Sequence, residues 1–206
     1  MNRIVTIGRE FGSGGRELGR CLAQELGFAY YDREIITGIA QRAEMTEDYV
    51  RQVVEKKPYA MFPITVGRSL HMGSDPMLEQ ERTIYQQQSS ILREMAGRSS
   101  CVLVGRCADY ILRDQKPFRI FVYADMESRL NRCRHKAHES ERFTDRELKN
   151  QIQQMDKNRA KYYEFCTGNR WGAKENYDMC INTTHADIPT VAHALACLIN
   201  SGQTEE

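Results

Sequence analysis

The sequence predicts an α/β fold, a three-layer, doubly wound, mostly parallel sheet of five strands, and three observations carry that prediction. Five short strand-like runs alternate with helical patterns along the 206 residues. One of them, Cys101-Val102-Leu103-Val104, is apolar without a break, as a strand buried on both faces must be. The first, Ile4-Val5-Thr6-Ile7, runs into a glycine-rich turn, Gly8-Arg9-Glu10-Phe11-Gly12-Ser13-Gly14-Gly15, that opens a helix. Ligands of such folds gather at the carboxyl ends of the strands.

The elements follow in order. Leu18, Leu22 and Leu26 recur every four residues, which predicts a helix over Gly15–Leu26 with Gly27 as its stop. Phe28 to Tyr31 is the second strand and ends on Asp32; Ile35, Ile36, Ile39 and Ala40 mark the next helix, and Thr46 with Glu47 and Asp48 begins another that ends near Pro58. From Tyr59 to Ser74 periodicity vanishes while Pro63, Gly67 and Gly73 accumulate, so a long flexible loop is expected over 59–74, either a functional flap or an idle excursion. Asp75-Pro76 suits the start of a long helix through Leu78, Ile84, Ile91, Leu92 and Met95, closed by Gly97. Beyond the central strand come Phe118 to Tyr123, a helix capped by Asp125, and a Thr144-Asp145-Arg146-Glu147 capping box that starts a helix bearing Leu148, Ile152 and Met155. Met179-Cys180-Ile181 is the last strand, and Ala192, Leu195, Leu198 and Ile199 mark the last helix.

Composition narrows the function. With 29 basic and 28 acidic residues the net charge is +1, so nothing compositional points to nucleic acid or an anionic membrane as partner. No apolar run approaches the roughly 18 residues of a membrane span, and Met1-Asn2-Arg3 leads straight into a strand, so a cytoplasmic chain forming one domain over 1–206 is expected. The seven cysteines show no ligand spacing and are expected as buried free thiols. The five histidines show no metal spacing either.

The turn after the first strand has the build of a phosphate cradle. Glycines let successive backbone N–H groups point into one concavity, and the helix that follows adds its positive end. Gly12 to Glu17, with Ser13, Gly14, Gly15 and Arg16 between, is the candidate cradle, although such a turn can also serve tight strand-to-helix packing. The full phosphate-loop pattern ends in Gly-Lys-Ser/Thr, whereas the matching end here reads Gly14-Gly15-Arg16-Glu17, and the first lysine of the chain is Lys56. Arg16 is the first candidate for the missing cation and Arg9 the second. On the same rim Asp32 follows the second strand and is a candidate acceptor-binding residue, and Arg106 follows the buried strand, placed to clamp another anion. Arginines then crowd one stretch: Arg129, Arg132, Arg134, Arg142, Arg146 and Arg159. Phosphoryl transfer needs movable cations and a cover against water, so 132–159 reads as a helical lid, or else as a solvated helix pair.

With these residues assembled, the chain resembles the cytidylate-kinase-like family of nucleoside monophosphate kinases, which have a phosphate-loop NTPase fold. The resemblance rests on Ile7 to Gly19, Tyr31-Asp32, Val102 to Arg106 with Ala108-Asp109-Tyr110, Asp156-Lys157-Asn158-Arg159, and Tyr177 to Thr183. It implies ATP- and Mg2+-dependent transfer to a nucleoside monophosphate, CMP or dCMP first. It further implies that Arg106 and Arg159 grip the acceptor's phosphate, that Asp156 meets its sugar or base, and that Arg132 meets the moving phosphoryl. The family's loop lysine aligns with Gly15, and a Ser or Thr is usual where Glu17 stands, so Glu10 or Glu17 would reach a metal through water. The alternatives are a nucleotide-binding sensor without efficient transfer and a small-molecule kinase with another acceptor. Small-molecule nucleotides are the expected partners, and the chain would act as monomer or homodimer.

Overall fold

The computed structural model describes residues 2–55, 76–136 and 143–201. The expected 59–74 loop, Arg142 and the start of the Asp75-Pro76 pair lie outside the described residues. Five strands, β1 (Ile4–Arg9), β2 (Ala29–Tyr31), β3 (Cys101–Val104), β4 (Phe118–Tyr123) and β5 (Met179–Asn182), form one sheet in the order β2-β3-β1-β4-β5. Every neighbouring pair is parallel, with Ile7 level with Val104 on one side and Ile120 on the other.

Alternation along the central strands sends side chains into two cores. Val5, Ile7, Val102, Val104, Ile120 and Val122 pack against α1 (Gly15–Leu26) and, at the other end of the chain, a helix over Ile188–Ser201. Ile4, Cys101 and Leu103 face the opposite core with α2 (Arg33–Ala43), α3 (Glu47–Glu55) and α4 (Pro76–Arg98). Val5, Ile7 and Arg9 therefore share the face toward α1, which sets where the last of them can send its charge.

The sequence omits three short elements: α5 (Ala108–Ile111) and single 3-10 turns at Arg113–Gln115 and Lys174–Asn176. Gly97 does not close α4, which continues to Arg98. Asp125 does cap α6 (Met126–Lys136), its Oδ1 accepting from the Ser128 amide at 2.7 Å. Thr144 and Glu147 complete the expected capping box at the head of α7 (Asp145–Thr167), and the Ile188–Ser201 helix is α8. The cysteines are free, but only Cys101 and Cys107 are buried; Cys180 and Cys197 are exposed because they sit on outward positions of β5 and α8. Among the described residues no helix is long and apolar enough to cross a membrane.

Candidate active site

The carboxyl ends of β1, β2 and β3 meet at one rim, and the glycine-rich turn lies across it. Gly12 (φ 78°) and Gly14 (φ 82°) are left-handed, and Gly14 is the N-cap of α1, donating no side chain to its first turn. Their bareness is also a matter of space. A Cβ on Gly12 would lie 3.0 Å from the Arg129 carbonyl oxygen, and one on Gly14 3.1 Å from Ile188 Cδ1. The turn is thus pressed between α6 and α8 with the amide end of α1 open to a ligand.

Hydrogen bonds fix the turn from both sides. The Ser13 hydroxyl is spent on the Glu10 carbonyl at 2.9 Å, and the Ser13 carbonyl accepts from Thr183 Oγ1 at 2.6 Å, so Ser13 is wholly buried and supplies form to the cradle rather than a free hydroxyl. Asp156 of α7 accepts from the Phe11 amide at 2.7 Å through Oδ1 and from Arg129 through Oδ2. Arg129 also donates to the Phe11 carbonyl at 2.7 Å and pairs with Glu10 Oε2 at 3.2 Å. Arg129, buried on α6, therefore ties the turn to both α6 and α7. The sequence placed it in the arginine cluster but gave it no role; its spacing of three from Arg132, on one helix face, was the available signal.

A cavity of about 410 Å³ opens over the turn, lined by Gly12, Gly14, Gly15 and Arg16 below and by Arg132, Lys136, Leu148 and Arg159 above. Arg132 donates to the Thr183 carbonyl through Nη2, while its Nη1 is buried without a partner. Lys136, absent from the sequence reading, holds Glu17 at 2.9 Å; it follows Arg132 by one helical turn. Glu10 faces Arg129 and the Ala124 amide, and burial, opposed by Arg129, raises its carboxyl above the ordinary range. Among the described residues no group of three or more His, Cys, Asp or Glu side chains is gathered for a metal ion.

Asp32 stands at the N-cap position of α2 but makes no side-chain cap. Its carboxylate turns to the rim instead, meeting Arg16 Nε at 2.5 Å and Arg9 Nη2 at 3.7 Å. Asp32 is 4% exposed and Arg9 8%. Burial, followed by the charges of Arg159 and Arg106, holds the Arg9 guanidinium well below its ordinary value, and Asp32 only partly compensates.

A second, smaller cavity, of about 40 Å³, adjoins the first on the far side of β1 and is lined by Arg9, Arg106, Arg159, Asp109, Tyr163 and Trp171 among others. Arg9 and Arg159 line both cavities. Gly105, Arg106 and Cys107 are all left-handed, at 74°, 59° and 53°. Two consecutive non-glycine residues in that region carry strain, and the buried Gln88 side chain holds the Arg106 carbonyl at 2.9 Å. Asp109 accepts from the Tyr163 hydroxyl at 2.6 Å; burial, against that bond, leaves its carboxyl raised. Trp171 packs edge-on against Phe121 with ring centres 5.2 Å apart and lines this cavity. Of the predicted site residues, Arg106 and Arg159 meet here, whereas Asp156 lines neither cavity.

Comparison with known proteins bears on the family and the fold. The profile of the cytidylate kinase-like family matches residues 4–185. The solved structure of an uncharacterised protein from Eubacterium ventriosum is 24% identical, covers 97% of this chain and 99% of its own, and superposes with a TM-score of 0.68. Shikimate kinase from Acinetobacter baumannii, in complex with shikimate, is 18% identical at TM-score 0.55, covering 100% of this chain and 96% of its own. Shikimate kinase from Bacteroides thetaiotaomicron is 15% identical at TM-score 0.57, with coverages of 97% and 99%. No curated protein matches the chain significantly.

Proposed function

The chain belongs to the cytidylate kinase-like family, and from that premise and its paired cavities we propose that it transfers the γ-phosphoryl group of ATP to a nucleoside monophosphate, CMP or dCMP first. The observation that carries the reading is the junction: a helix-headed glycine cradle and an arginine-lined acceptor cavity share Arg9 and Arg159. A group held in one is beside the other, which is the positioning that phosphoryl transfer requires.

In this reading the amides of Gly12 to Gly15 and the head of α1 bind the ATP phosphates, with Arg16 at their edge. Arg132 and Arg159 neutralise charge that grows on the transferring oxygens. Arg106 and Arg159 hold the acceptor's anionic group. Asp156 and Arg129 are positioning residues that hold the turn, and Asp32 positions Arg16 and Arg9. Magnesium is bound through few protein carboxylates and several phosphate oxygens and waters. That habit fits a site with Glu10 and Glu17 nearby, each already paired with a cation, so that either would hold the metal through water and the ion would supply charge neutralisation. The cytoplasm, as monomer or homodimer, is the proposed setting.

One observation favours a second acceptor class. The cavity at the arginine cluster, about 40 Å³ among the described residues, is much smaller than the one over the turn and is lined by Arg9, Arg106 and Arg159. A small anionic metabolite would suit that space. The test is ADP production by purified protein with ATP and magnesium against the ribo- and deoxyribonucleoside monophosphates, with shikimate included. CMP or dCMP should lead; activity with shikimate alone moves the second reading ahead. ATP binding without ADP from any acceptor rejects both in favour of a nucleotide sensor.

A further inference from the structure

A cation at the β/γ-phosphates is what the Gly14-Gly15-Arg16-Glu17 end lacks, since the second position of the usual pattern is lysine. Two glycines show where another cation is placed. A Cβ on Gly15 would lie 2.6 Å from Arg9 Cβ, closer than side chains approach, so the room that a residue at position 15 would take is filled by Arg9. A Cβ on Gly105 would lie 1.7 Å from Arg9 Nη1. The Arg9 side chain is therefore threaded between two bare backbones, rising from the end of β1 past the head of α1 and reaching over the end of β3.

From this threading, and resting on the phosphoryl-transfer reading, we propose that Arg9 is the catalytic cation of the cradle, contacting the transferred phosphoryl in place of a side chain at position 15. Three further observations agree. Arg9 lines both cavities, so a group passing between them passes its guanidinium. Its nearest carboxylate, Asp32, stands 3.7 Å away and gives its closer contact to Arg16, at 2.5 Å. Arg106, Arg159 and Arg16 all add repulsion at Arg9, so this buried charge lacks a full counter-ion until an anion arrives. Arg16, half-exposed and turned to Asp32, then acts as a positioning residue for Arg9. In the step itself the bond from the γ-phosphorus to the bridging oxygen breaks, with ADP keeping the electron pair, while an oxygen of the acceptor's phosphate, already ionised, forms the new bond. Arg9 donates to the equatorial oxygens throughout and gains no covalent bond.

The experiment compares calorimetric affinities for ADP and for ADP with aluminium fluoride, a planar mimic of the moving phosphoryl, both with magnesium. It needs no acceptor, so its failure is separable from failure of the monophosphate reading. Wild-type protein should bind the mimic far more tightly than ADP. Arg9→Gly should lose about 100-fold of that preference, the scale of one transition-state donor, with ADP affinity nearly unchanged. Gly105→Ala, which keeps the charge but strikes its guanidinium, should lose a comparable share. Arg9→Ala keeps the Cβ that crowds Gly15, so the relocation variant is Arg9→Gly with Gly15→Lys, and it should regain at least about ten-fold over Arg9→Gly. Equal wild-type affinity for the two ligands, loss shared equally between them in folded variants, or no recovery on relocation overturns the assignment.

Discussion

At Arg9 and Arg159 two residues touch both cavities, whereas Arg106 touches only the smaller one, and this difference has a kinetic consequence. Interactions made mainly in the transition state lower kcat when lost; those that hold the ground-state acceptor raise KM. Arg159→Ala and Arg132→Ala should each lower kcat about 100-fold with ATP affinity little changed, whereas Arg106→Ala should chiefly raise the acceptor's KM. Steady-state kinetics with nucleotide calorimetry separate the outcomes, and identical behaviour of all three variants would contradict these roles. Asp109 supports a pH prediction. Its folded carboxyl lies above its unfolded one, so the native protein holds more protons from about the ordinary value of 3.8 upward, and stability contributed by this group falls as pH rises through that window. Asp109→Asn should remove that fall, read as a flatter stability curve in urea titrations from about pH 3.5 to pH 6.5. Parallel curves for variant and wild type would refute it. Place and type were enough to put Arg106 and Arg159 forward as candidates, and they line one cavity, but that Arg9 fills the space beside Gly15 depends on a distance across two elements, which no spacing encodes.

The helices were legible wherever a local signal closed them. The Thr144 box is the clearest case: its hydroxyl accepts from the Glu147 amide at 3.3 Å and the Glu147 carboxylate returns to the Thr144 amide at 2.8 Å. Thr144→Ala should cost about 1 kcal/mol and fray the start of α7, seen as faster amide exchange there than at Tyr162. Unchanged exchange would mean that α7 is held by its packing alone. Gly97 misled because an isolated glycine near a helix end stops it only when the backbone turns left-handed, and here it does not. Asp32 occupies the cap position of α2 without capping it, because its carboxylate is engaged by the half-exposed Arg16 and the buried Arg9 instead of the helix amides. The short α5 escaped because four residues, Ala108–Ile111, give no period to read.

For the whole molecule, strand-helix alternation and one unbroken apolar run were enough for the sheet, since parallel strands buried on both faces leave that imprint. The rim followed from the topology, because β1 lies between β3 and β4 and its end meets the loops of both. The proposed acceptor site did not follow: the cavity is assembled from β1, α3, the turn after β3, α7 and Trp171, which are far apart in the chain. The central claim is direct transfer from the cradle to that cavity. The measurement is the fate of label from ATP labelled in the γ-phosphoryl group, with magnesium and CMP or dCMP. The account predicts label on the nucleoside monophosphate, recovered as the diphosphate in step with ADP. Label that stays in bound ATP, or emerges only as inorganic phosphate, would contradict it.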